Sequence, residues 1–143
     1  MINSNPLRVA MSAAFLIVTC LFSVDSVQGQ AHSVKITVPF DFYAGEKMLP
    51  AGDYEVATLV DNFVQVVSPA RHLFSTFPTI AVTKVLGEMV SPKLIFTQYG
   101  QDHFLSEVWW GNGSRGSIAI TSKRETEVAK TLQPFHSEAR ARH

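Results

Sequence analysis

The sequence predicts a mainly β fold, a small antiparallel β-sandwich or β-barrel with a short C-terminal helix, exported behind a cleavable leader. Three observations carry this. An uncharged apolar run lies near the N-terminus, strict apolar–polar alternation begins at Val34, and turn residues recur at short intervals from Gly45 to Gly116. Short strands separated by Gly, Pro, Asn and Asp clusters suit either closure, and periodicity does not separate a sandwich from a barrel.

The leader spans residues 1–29. Arg8 supplies a positive start, Met11 to Val24 is free of charge, and Asp25 ends the run. Such a span is short for a bilayer-crossing helix, which needs about 20 apolar residues, and it suits a signal peptide followed by small residues. Cleavage fits after Gly29 or after Ala31. Cys20, the single cysteine, sits inside the apolar run behind Thr19, a poor match to a lipoprotein processing box. Residues 30–143 then form a single β domain without a cysteine, placed in the periplasm or secreted, with no transmembrane anchor after cleavage. A chain of this size buries a core without disulfide staples.

In the mature chain Val34, Ile36, Val38, Phe40 and Phe42 fall on one face of a first strand. Pro39 cannot donate to a ladder, so this strand lies at an edge or ends in a bulge. Gly45-Glu46-Lys47 and Pro50-Ala51-Gly52-Asp53 are turns. Tyr54 to Val60 pairs with Phe63 to Val67 through Asp61-Asn62. After Ser68-Pro69-Ala70 come His72 to Phe77 and Thr79 to Val85, as two strands or one bent at Pro78. Lys93 to Tyr99 and His103 to Trp110 make a hairpin about Gly100-Gln101-Asp102. A glycine loop, 111–116, leads to a short strand over Ser117 to Thr121. Ser122-Lys123-Arg124-Glu125 matches a capping box opening a helix near 122–132, which Pro134 stops. The segment after Phe135 reads as a polar, frayed tail.

The 12 basic and 12 acidic residues balance. A neutral chain offers no electrostatic case for nucleic acid or an anionic membrane surface. Val38-Pro39-Phe40-Asp41-Phe42, Gly45 and Leu49-Pro50-Ala51-Gly52-Asp53-Tyr54 resemble the opening of small exported bacterial β-proteins of unknown function. Lys93-Leu94-Ile95-Phe96, Tyr99-Gly100, Phe104-Leu105…Trp109 and Ser122…Glu125 continue the resemblance over most of the mature chain. It implies a compartment and an architecture, and no catalytic residue.

Chemistry-bearing residues are scattered. The five histidines form no metal-ligand spacing, although His72 and His103, with Asp102 or Glu107, could meet across strands. No Gly-x-Ser-x-Gly is present, and Ser114 in the glycine loop is the nearest loop nucleophile. The carboxylates Asp41, Glu46, Asp53, Glu55, Asp61, Glu88, Asp102 and Glu107 show no spacing that predicts an acid–base pair. The reading is therefore non-enzymatic, with no cofactor and no metal. Its partner would be an envelope protein, a glycan or a small apolar ligand. The alternatives are a carrier holding an apolar ligand in a barrel cavity and, third, a small hydrolase.

Trp109-Trp110 is the feature that most invites a binding function. Neighbours on a regular strand point to opposite faces. Trp110 would share one face with Phe104 and Val108, and Trp109 the other with His103, Leu105 and Glu107. The first set is the more apolar, which assigns Trp110 to the core. Trp109 is then the ligand- or partner-facing ring, beside Tyr99 and His103. A helix over Glu125 to Leu132 packed on the sheet would instead cover the second ring.

Overall fold

Alternation and turn chemistry divide the described residues into ten strands and one helix. The computed structural model describes residues 32–60, 62–84, 91–111 and 115–141. The leader, and Ser114 of the glycine loop, lie outside them. The strands are β1 (Ser33–Val38), β2 (Phe42–Ala44), β3 (Lys47–Leu49), β4 (Gly52–Val60), β5 (Phe63–Ser68), β6 (Leu73–Thr83), β7 (Lys93–Tyr99), β8 (Asp102–Trp109), β9 (Arg115–Ala119) and β10 (Pro134–Arg140). Helix α1 covers Lys123–Ala129.

The ladder runs β1-β4-β5-β6-β9-β8, with β7 beyond β8 and β10 beyond β7; the β2–β3 hairpin joins β8 through one parallel bridge. The hinge of this arrangement is β6. Its first half, to Pro78, pairs with β5, and its second half, from Thr79, pairs with β9. Pro78 has no N–H to give, so the strand changes partner where the ladder would lose a bond anyway. Its carbonyl still accepts from the Ile120 amide at 3.1 Å. One strand thus serves two layers, as at the corners of β-sandwiches. The outer edges, β1 and β10, come to lie against each other. No ladder joins them among the described residues, so the sheet is folded over but not closed, sandwich-like rather than a barrel.

The core lies between the layers. Val34, Ile36 and Val38 of β1, Tyr54 and Val56 of β4, and Val64 and Val66 of β5 face Leu94 and Phe96 of β7 and Leu105 and Val108 of β8. Phe42 and Phe77 fill the space between them, and Phe42 meets Tyr54 and Phe96 edge-on. Full burial of each such side chain stabilises by about 1.5–3 kcal/mol before the entropy cost. Gly45, at φ +64°, closes the β2–β3 turn; a Cβ there would stand 2.9 Å from Phe77, so glycine suits both the turn and the packing.

Two parts of the sequence reading need correction. The polar tail is a strand: residues 134–140 pair with 93–99 in continuous antiparallel register. Ala139 tucks its small side chain into the core, and Glu138 bridges Lys93 and Arg140 at the surface. The last strand of the β6–β9–β8 layer begins at Arg115, two residues before the expected start, because Gly116 belongs to the ladder rather than to the loop.

Candidate functional site

The environment of the two tryptophans follows from one extra residue in β8. Ile95 pairs with Glu107 and Phe96 with Leu105, so Ser106 is a bulge. Its hydroxyl accepts from Thr97 Oγ1 at 2.9 Å and donates to the Ile95 carbonyl at 3.1 Å, which holds the distortion in place. The bulge reverses the phase of the strand. Leu105 before it and Val108 and Trp110 after it all enter the core, whereas Phe104, Glu107 and Trp109 fall on the outer face. Phe104 therefore does not share the Trp110 face, as unbroken alternation would require.

Trp110 packs into the core and is 6% exposed. Trp109 lies on the other side of the strand, but it is not an exposed ring: it is 4% exposed. Gly116 is its cross-strand neighbour, and the indole lies over the glycine, within 2.7 Å of where a Cβ would stand. The Lys84 ammonium sits 4.7 Å above the ring, and the indole N–H donates to Glu107 at 2.8 Å. A glycine, a cation and a carboxylate bury this ring, rather than the helix.

Tyr99 and His103 lie elsewhere. Tyr99 is buried with Tyr43, Phe104 and Val128 where α1 packs on the outer face. Its hydroxyl is hydrogen-bonded to Glu125, and burial, with that carboxylate beside it, pushes the phenol up from its usual range. Ser122 caps the helix by accepting from the Glu125 amide at 3.1 Å, while Glu46 accepts from the Lys123 amide at 2.7 Å. Arg124 lies over the Tyr43 ring at 4.6 Å. His103 stands at the rim of the layers, stacked on Phe40 with ring centroids 3.9 Å apart. The three residues do not converge.

Two of the scattered carboxylates make local hydrogen bonds, and Asp61 and Glu88 lie outside the described residues. Asp41 accepts from the Ala51 amide and Asp53 from the Thr37 hydroxyl. His72 is in the turn before β6, at φ +53°. Among the described residues no three His, Cys, Asp or Glu side chains gather as a metal site.

What does gather is apolar surface. On the outer face, Val60 pairs with Phe63, Phe63 with Pro78, and Ile80 with Ile118; Ile120 stands opposite Pro78. Phe63, Ile80, Ile118 and Ile120 are 39–59% exposed. Scattered exposed apolar residues are ordinary, but a connected strip of them marks an interaction surface. No known protein family, curated protein or solved structure matches the chain. The strip ends at the Val82–Gly116–Trp109 row, so the buried indole borders it without forming its contact surface. Sequence reasoning missed the strip because its members come from four strands. The one available signal was Ile118 and Ile120 alternating on a strand whose neighbours Val82 and Ile80 alternate likewise.

Proposed function

We propose that this chain is an exported, non-enzymatic binding domain of the bacterial cell envelope. It holds a protein partner against the outer face of β5, β6 and β9. The observation that carries the reading is the connected strip Phe63, Pro78, Ile80, Ile118 and Ile120, exposed on a sheet whose opposite side already has a filled core. The apolar leader supports export. Three of the acidic side chains a hydrolase could use are engaged in structural hydrogen bonds: Glu46 at the helix start, Asp41 with the Ala51 amide and Asp53 with Thr37 across the β1–β4 ladder. A barrel carrier lacks its container, because the sheet is open and Phe42, Phe77 and Phe96 fill the inter-layer space.

A photo-crosslinking amino acid at Ile118, introduced in the full chain in living cells, tests this. A discrete adduct with one envelope protein, not formed from the same probe at Lys35, is the expected result. Equal or absent adducts at both positions would overturn the reading.

A further inference from the structure

The inner row of β9 carries a charge. Ala119 of that row packs against the core, Ser117 is buried, and Arg115 comes next. An inward-facing charge is a known way to blunt an edge strand. That explanation does not apply, because β9 is paired on both sides, to β6 and β8. The neighbouring inner row of β6 behaves in a related way. Ser75, Phe77 and Thr79 are buried, but Ala81 and Thr83, on the same side, are exposed. The two layers therefore part at this end. The opening is a cleft of about 370 Å³, lined by His32, Thr58, Thr83, Trp110, Arg115 and Ser117, with Ala81 along one wall.

We infer that this cleft binds a small organic anion with a flat apolar body, such as an aromatic carboxylate. The volume is within the range of small-molecule sites, roughly 300–1,000 Å³. Arg115 is the one permanently charged group among the described lining residues, none of which is a carboxylate. A guanidinium matches a carboxylate with two parallel donors. The hydroxyls of Thr58, Thr83 and Ser117 offer further donors, while Trp110 and Ala81 supply apolar contact. The His32 ring is 6.5 Å from the Trp110 ring and tilted by 33°, adding a second flat group to the wall. This site is separate from the outer strip, from which β6 and β9 divide it.

The two tryptophans provide the readout. Titration of the ¹⁵N-labelled protein, purified as the cell makes it, with 2-naphthoate should shift the Trp110 indole resonance and leave that of Trp109, across the strand, in place. Arg115→Gln should weaken binding about tenfold or more, the loss of a charge-assisted pair. The neutral 2-naphthamide should bind the wild type no better than naphthoate binds the variant. Ala81→Leu, filling the cleft, should abolish binding while thermal unfolding confirms a folded domain. Ile118→Ser, on the outer strip, should leave naphthoate binding unchanged. An unmoved Trp110 resonance, equal affinity for acid and amide, or loss of binding in Ile118→Ser would overturn the assignment.

Discussion

The Trp109 indole occupies the space that a side chain at residue 116 would fill. Its ring atoms come within 2.7–2.9 Å of a Cβ placed on Gly116. Gly116→Ala should therefore destabilise the domain, although its backbone suits alanine, because the ring must shift and lose its cover. Overpacking of this kind costs about 1–3 kcal/mol. Urea denaturation of Gly116→Ala, Trp109→Ala and the double variant measures it. The double variant should be more stable than the sum of the two losses predicts, since the clash vanishes with the ring. Strict additivity would mean that the glycine matters for another reason.

The bulge at Ser106 is the second device. Ser106→Ala removes the hydroxyl that donates to the Ile95 carbonyl and accepts from Thr97. The expected loss is about 1–2 kcal/mol, the cost of leaving a part-buried polar group without its partner. Deleting Ser106 is a second test. With the extra residue gone, Leu105 and Glu107 become neighbours, and regular alternation keeps Leu105, Val108 and Trp110 inward and Glu107 and Trp109 outward, so the deletion variant should still fold cooperatively. A deletion variant that loses its cooperative transition would refute the assignment of phase to this residue.

Much of the architecture was legible in local pattern, and the exceptions have physical causes. The alternation of Val34, Ile36 and Val38 on β1 matches their burial, and the β7–β8 hairpin turns at Gly100, at φ +60°. Ser122 caps the helix as its spacing to Glu125 indicates. The bulge was hidden because Val108, Trp109 and Trp110 are all apolar, so the sequence reads equally well in either phase. β10 was hidden because its one buried residue, Ala139, is small and flanked by the charged Glu138 and Arg140, a composition shared by frayed tails. The cleft was hidden for a different reason: His32, Thr58, Thr83 and Arg115 are far apart in sequence, and only the parting of the layers brings them together.

Export makes a prediction independent of the fold. The mature protein recovered from the envelope or medium should have the intact mass of a chain starting at Gln30 or His32. An uncut chain, or one lipid-modified at Cys20, would sink the leader assignment.

Two glutamates should give opposite pH signatures. Burial pushes the Glu125 carboxyl up from its usual range, more than the Tyr99 hydrogen bond lowers it. A carboxyl raised in the folded state contributes stability that is full below its unfolded pKa and is lost as pH rises through the folded one. Glu125→Gln keeps an oxygen to accept from Tyr99 and carries no charge to desolvate. It should match the wild type in acid and be the more stable of the two at neutral pH. At Glu138, hydrogen bonds from Lys93 and Arg140 draw the carboxyl down. Its contribution is present above the unfolded pKa and disappears as pH falls through the folded one. Glu138→Gln should therefore be slightly less stable than the wild type at neutral pH and converge with it in acid, the difference being small because the pair is exposed. Denaturation midpoints of the three proteins from pH 3 to 8, a range of about five units around the carboxylate values, decide the matter. A Glu125→Gln curve parallel to that of the wild type would remove this half-buried carboxylate from the account of how α1 is held on the sheet.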